Sequence, residues 1–267
     1  MANPLLRLLF NKAAHTSTDV EQYYEEWTDQ YVEFGSVWQS LLTENVEDMI
    51  YYIAKTIGIK DGMKVLDAGC GVCGPAVILA GKYDIHIEAI TNSDKQLKYA
   101  IENIKKSNLQ GTINVQKGDY HDLDRYYKPE EFDVVCFLES LHNSCNPKKV
   151  IQSARNVVKD GGIIYIKDPY RRAKTLSKWE INQIETVERQ FFMKLRTVGE
   201  IIDLLGECGF ELAFCRKPEV EASCDANRKF LASKHPSLYL KKPEDSRIAS
   251  GKIDFNKFLE IKAVKRY

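Results

Sequence analysis

Lys64-Val65-Leu66-Asp67-Ala68-Gly69-Cys70-Gly71-Val72-Cys73-Gly74-Pro75-Ala76 decides how this chain folds. An apolar run ends at an acid, breaks into a glycine-rich turn and resumes as the helical pattern Ala76-Val77-Ile78-Leu79-Ala80. That is strand, turn and helix, with a backbone stripped of Cβ at Gly69, Gly71 and Gly74 that can approach a ligand closely. Gly69-x-Gly71-x-x-Gly74 also satisfies a dinucleotide fingerprint, a weak match by itself. The stretch reads as a nucleoside cofactor loop.

Outward from the loop, strand and helix alternate. Strands are predicted near 64–68, 85–90, 113–117, 132–137 and 162–167, with helices near 75–82, 94–107 and 147–158. Alternation of this kind implies a parallel sheet with helices on both faces and a site at the carboxyl ends of the strands. A helical insert over about 170–196 follows, periodic through Trp179, Ile181, Ile184, Val187 and Phe191. A helix over 198–208 then leads to the strand Phe210–Cys215, and Phe258–Val264 is the last strand; the two read as an antiparallel edge pair. The polar tract 217–250 reads as loops with short helices.

Upstream, Tyr23, Tyr24, Trp27, Tyr31, Phe34 and Trp38 form one aromatic stripe along a helix over 20–38, and a second helix covers 42–57. The stripe is either plain core or a lid whose aromatic faces line a substrate pocket and stabilise a positive charge. The expected organisation is an N-terminal helical lid, 1–58, on a cofactor-binding domain, 59–267.

Lys+Arg and Asp+Glu each number 38 in a chain that is 44% hydrophobic and 28% charged. A balanced soluble composition argues against a general nucleic-acid or anionic-membrane binder. Seven cysteines without framework spacing suit a reducing, cytoplasmic compartment. Leu5-Leu6-Arg7-Leu8-Leu9-Phe10 is too short and interrupted for an integral membrane span. It reads as a short amphipathic helix on the body or a partner, or as a weak targeting or membrane-surface element. The expected partner is a small molecule, with a homodimer also compatible.

Three features turn the loop away from a nicotinamide cofactor. Asp67, just before the glycines, would repel a pyrophosphate but suits a cationic ligand. The second strand ends Ala89-Ile90-Thr91-Asn92, with no acid for the adenosine ribose. Gly118-Asp119-Tyr120-His121 then places an acid and an aromatic after the third strand, where they can meet an adenine amino group and ring.

In these motifs, over about residues 60–215, the sequence resembles the Rossmann-like S-adenosylmethionine-dependent methyltransferases. They are Val65-Leu66-Asp67-x-Gly69-Cys70-Gly71, Gly118-Asp119, Phe132-Asp133-Val134-Val135 and Lys159-Asp160-Gly161-Gly162. The resemblance implies an α/β, seven-stranded, mostly parallel sheet whose last strand is antiparallel. It also implies that Gly69 and Gly71 pass the methionine portion with Asp67 nearby, and that Asp119 and Tyr120 hold adenine. Cys73 stands where many members have a third glycine, which implies a slightly altered turn with binding kept. Val20-Glu21-Gln22-Tyr23-Tyr24, Ile90-Thr91-Asn92-Ser93-x-x-Gln96 and Leu138-Glu139-Ser140-Leu141-His142 look most like the branch of sterol, tocopherol and terpenoid carbon methyltransferases and cyclopropane synthases. That likeness adds Thr91, Asn92, Gln96 and Glu139 to the expected cofactor contacts.

Methylation of a carbon–carbon double bond makes a carbocation, which needs aromatic shielding and a base. Glu139 is the expected base and His142 the weaker candidate. Tyr23, Tyr24, Trp27 and Tyr31 would shield the cation. His121 either helps close the adenine pocket or is exposed. Arg171 and Arg172, in Lys167-Asp168-Pro169-Tyr170-Arg171-Arg172-x-Lys174, form either a solvated basic loop or an anion clamp. With a clamp, a prenyl diphosphate and Mg²⁺ fit; without one, a neutral terpenoid or an alkaloid fits equally. Cys70-x-x-Cys73 lies inside the turn with no second pair at zinc spacing, so no metal site is expected. The expected activity is carbon methylation of an isoprenoid; the alternative is nitrogen or oxygen methylation of a small amine or aromatic compound.

Overall fold

The computed structural model describes residues 15–33, 35–37, 45–173, 175–219 and 256–267. Seven strands form one sheet in the order β3-β2-β1-β4-β5-β7-β6. They are β1 (Lys64–Ala68), β2 (His86–Thr91), β3 (Thr112–Lys117), β4 (Phe132–Leu138), β5 (Val158–Arg171), β6 (Phe210–Arg216) and β7 (Asn256–Lys265). The first five pair in parallel, and β7 runs antiparallel to both neighbours. β7 is therefore not an edge strand: it lies between β5 and β6, and β6 takes the edge.

Alternate residues of the central strands feed two apolar layers. Val65, Ile87 and Val134 pack with Ile50, Ile53 and Leu79 on one face. Leu66, Val135 and Ile164 pack with Ile151, Ala154 and Leu205 on the other. The described α-helices are α1 (Ser17–Val32), α2 (Val46–Ile57), α3 (Gly74–Lys82), α4 (Asp94–Lys106), α5 (Pro147–Val157), α6 (Lys178–Phe191) and α7 (Val198–Glu207). Of these, α2 to α5 and α7 feed the two layers, and Ile184 of α6 packs in a separate small cluster with Met193 and Leu195. Several start on signals written in the sequence. Thr16, Ser177 and Thr197 make reciprocal capping boxes with Asp19, Glu180 and Glu200, and Ser93 caps α4 through the Gln96 N–H.

Two elements differ from the sequence reading. α1 stops at Val32, six residues short of the expected 38, and Gly35 at φ 102° follows it. β5 does not end at 167 but continues through Lys167, Asp168, Pro169 and Tyr170, opposite Glu260, Leu259, Phe258 and Lys257 of β7. This polar run therefore lies inside the sheet instead of forming a solvated loop. Phe34, Trp38, Lys174, the Leu5–Phe10 patch and nearly all of the 217–250 tract fall outside the described residues. No helix among the described residues is long and apolar enough to cross a membrane.

Candidate functional site

Past the end of β1, the N–H groups of Gly69 and Cys70 both donate to the Ile90 carbonyl, at 2.9 and 3.0 Å. That ties the loop to β2 and leaves Gly69 at φ 87° and Gly71 at φ 56°. A Cβ on Gly69 would sit 2.6 Å from the Ser140 Cβ, so only glycine fits there. Gly74 has another reason: a Cβ there would strike the backbone of Ser36, so it serves packing of the 35–37 segment. Cys73 takes the left-handed conformation, φ 61°, at the start of α3 and is fully buried. Its turn is formed by a non-glycine residue without a break in the loop.

Asp67 is buried at the end of β1, and its carboxyl has no hydrogen-bond partner among the described residues. Burial alone pushes it up to about 7. A buried acid without a counter-charge beside a glycine loop is suited to a cationic ligand.

The polar residues after β2 are largely occupied by one another. Thr91 donates to the Gln96 side chain at 2.5 Å, and Asn92 donates to the Ser17 carbonyl at 3.3 Å. Glu25 of α1 accepts from the Ser93 hydroxyl and the Lys95 N–H, which clamps α1 over this corner. After β3, Asp119 accepts from the His121 ring at 2.6 Å and from its backbone N–H at 2.9 Å. Burial works to raise the Asp119 carboxyl, but the bonds from His121 and Ser17 overcome it and hold it at about 2. His121 is buried rather than exposed, with Nε2 2.8 Å from the Ser144 hydroxyl. Tyr120 donates to the Ser140 carbonyl at 3.0 Å, which lays its ring against Gly69.

The ends of β4 and β5 carry the densest charge. Glu139, at φ 57°, pairs with Lys167 at 2.5 Å, and both side chains are almost fully buried. His142 Nδ1 is 2.9 Å from the Asp168 carboxylate. The α1 stripe lies over this group. Tyr23 and Tyr31 share a hydroxyl contact of 2.7 Å, Tyr24 stands edge-on to Tyr23 with centroids 5.1 Å apart, and Trp27 stacks on Tyr23. Burial, then Tyr31, Glu139 and Asp168, raises the Tyr24 phenol, while burial pushes Tyr31 up to about 12. Both phenols are neutral in the physiological range.

Two residues at the heart of this group escaped the sequence reading. Asp168 sat in a run read as basic. Asn143 carried no motif, yet its side chain accepts from Tyr24 at 3.3 Å and donates to the carbonyls of Phe191 and Phe192, while its own carbonyl meets His15 Nε2 at 2.8 Å. Arg171 is directed elsewhere: it faces Glu200 at the start of α7, 3.4 Å away. Arg172 is half-buried beside it, the two forming no solvated loop. Among the described residues no group of three or more His, Cys, Asp or Glu side chains is placed to hold a metal ion.

The family model of a methyltransferase domain matches residues 59–213, and the chain belongs to that family. It is similar to the sterol 24-C-methyltransferase of Gibberella zeae, 35% identical over 113 residues, covering 42% of this chain and 29% of that protein. The chain thus spans less than a third of the length of that relative. Its fold matches the [4+2]-cyclase SpnF with a TM-score of 0.76 at 19% identity, over 95% of this chain and 97% of that one. It also matches geranyl diphosphate C-methyltransferase of Streptomyces coelicolor, crystallised with Mg²⁺, geranyl diphosphate and S-adenosyl-L-homocysteine. There the TM-score is 0.71 at 14% identity, over 95% and 99% of the two chains. The methyltransferase domain fold expected from the glycine loop is the one found.

Proposed function

We propose that this protein transfers a methyl group from S-adenosylmethionine to a small, largely apolar acceptor, and that the reaction is carbon methylation of an isoprenoid double bond. One observation carries the reading: Asp67, a buried acid with no partner among the described residues, lies behind a loop that admits only glycine at position 69. A sulfonium–ammonium ligand supplies the positive charge that this carboxyl lacks. Asp67, Gly69 and Gly71 would hold its methionine portion. Asp119, kept ionised by His121, and the Tyr120 ring would hold its adenine, with Thr91, Asn92 and Gln96 shaping the wall between.

When bound, S-adenosylmethionine supplies an electrophilic methyl group. The residues beyond β4 and β5 then do the rest. Tyr23, Tyr24, Trp27 and Tyr31 exclude water from the acceptor and turn aromatic faces toward positive charge developing on it. Neutral phenols can do this without competing as nucleophiles. Glu139 adds a fixed negative charge that needs no reorganisation at the moment of reaction. Because Arg171 is engaged by Glu200, an uncharged isoprenoid suits the site better than a diphosphate with Mg²⁺. The sterol 24-C-methyltransferase relative supports the same acceptor class. The segments 1–58 and 59–267 act in this reading as lid and catalytic body.

The test is titration calorimetry with S-adenosylmethionine, followed by labelled-methyl transfer to uncharged isoprenoids, prenyl diphosphates with and without Mg²⁺, and small amines. Donor binding and labelled product from uncharged isoprenoids is the expected result. Product from amines alone would move the assignment to nitrogen methylation, and no donor binding would overturn it.

A further inference from the structure

Asp168 is 2% exposed on β5, and the chemistry above gives it no task. Its carboxylate accepts from His142 Nδ1 at 2.9 Å, and the backbone on either side of that ring is fixed. The His142 carbonyl accepts from the Lys194 N–H at 2.7 Å, and the next residue, Asn143, is fastened to both α1 and α6. An imidazole that donates from Nδ1 to a carboxylate keeps its Nε2 lone pair as a proton acceptor, and the carboxylate then steadies the imidazolium that forms. Glu139 is placed differently. Its Oε1 faces the Lys167 ammonium at 2.5 Å in a dry setting, and a proton arriving there would cancel the charge that Lys167 faces.

We infer that His142, held in its Nδ1–H tautomer by Asp168, takes the proton released from the methylated acceptor, while Glu139 stays ionised as a fixed charge. This rests on the methyl-transfer reading of the site. The C–H bond next to the cationic carbon breaks, its electron pair becomes the new double bond, and the proton goes to His142 Nε2. Asp168 is a positioning residue: it acts on the ring, not on the acceptor.

The charged and titratable groups around the dyad come from every neighbouring element. They are Glu139 after β4, Lys167 and Tyr170 on β5, Tyr120 after β3, Tyr24 on α1 and Arg196 before α7. Burial raises the Asp168 carboxyl, and His142 pulls it back down. Removing the Asp168 charge takes away the carboxylate that holds the Nδ1–H of His142 and would steady its imidazolium.

The experiment measures donor affinity, kcat and the pH profile of kcat in the full chain and in Asp168→Asn, Asp168→Glu, His142→Gln and Glu139→Gln. Asp168→Asn is expected to lower kcat by about a hundredfold or more, in the range of a lost general base. It should move the acidic limb of the profile to lower pH and leave donor affinity within about twofold. Asp168→Glu should restore part of the rate, and His142→Gln should remove the limb. Glu139→Gln should reduce kcat with the limb in place. An acidic limb that follows Glu139→Gln, or one unmoved in both Asp168→Asn and His142→Gln, overturns the dyad while methyl transfer stands. If Asp168→Asn does not fold, His142→Gln alone decides the matter by keeping or losing the limb. A parent protein that binds donor but yields no product with any acceptor overturns the methyl-transfer reading, and the dyad with it.

Discussion

Glu139 and Lys167 face each other where β4 and β5 end, and they are joined twice: Nζ to Oε1 at 2.5 Å, and the Glu139 N–H to the Lys167 carbonyl at 2.8 Å. The backbone bond keeps Glu139 in its left-handed conformation, φ 57°, which a non-glycine residue adopts at some cost. Without Lys167 the carboxylate would lose its nearest opposite charge in a site that water scarcely reaches. Lys167→Met should therefore destabilise the fold by about 3–5 kcal/mol, the range for breaking a buried pair from one side. Adding Glu139→Gln should recover much of that loss. Urea unfolding of the four members of this cycle measures the coupling, and strict additivity would show that the pair is energetically silent.

Asp67 gives a stability slope of unusual sign. Its folded carboxyl sits at about 7, above its unfolded value, so between pH 4 and 7 the folded state binds the extra proton. Stability from this group is fully present at low pH and is lost as pH rises through 7, by at most roughly 1.4 kcal/mol per pH unit. Asp67→Asn should flatten that slope. The same linkage makes S-adenosylmethionine affinity weaken as pH falls from 8 to 6 in the parent and not in Asp67→Asn. Unfolding curves and calorimetry over that range check both.

Gly69→Ala is expected to damage the loop through both its backbone and its contacts. The position has φ 87°, and its Cβ would lie 2.6 Å from Ser140 Cβ. Left-handed strain alone is worth about 1–2 kcal/mol, and the clash adds to it. Differential scanning calorimetry should show a lowered midpoint that Ser140→Gly, in the same background, restores only in part.

Asn143→Ala removes the fastening between α1 and α6. Its amide bonds Tyr24 on one side and two carbonyls at the end of α6 on the other. Hydrogen exchange should quicken in 17–32 and 178–192 together, with little change in β1 and β4. Faster exchange in only one of the two segments would show that they are held independently.

The sheet was readable because its central strands are continuous apolar runs with turn signals between them, and the turn after β1 because its glycine spacing stands out. The ends of β4 and β5 were harder. Lys167, Asp168 and Pro169 look like the exit from a strand, since charges and proline seldom stay inside a sheet. They stay because Glu139 and His142, about thirty residues upstream, neutralise or bind them, and no local pattern announces a partner that distant. Asn143 is the same case: its side-chain partners, Tyr24, Phe191 and Phe192, come from two distant segments. His121 could be read as exposed until Asp119 and Ser144 were seen on either side of it. Arg171 could be read as part of a solvated basic loop or of an anion clamp, since Glu200, which it faces, belongs to another helix.

β7 has a consequence for how the molecule is made. It is the last of the described strands, yet it lies inside the sheet and pairs with β5 from Ile163 to Arg171. Until residues 256–265 have been synthesised, the strand that carries Lys167 and Asp168 has an open edge, and an apolar one. The half of the sheet built on β1, β2 and β3 can form early, while the end built on β5 waits for that segment. Nascent or truncated chains lacking that segment would thus expose a ready template for strand addition, so the interval before β7 docks is when this protein most needs protection from aggregation.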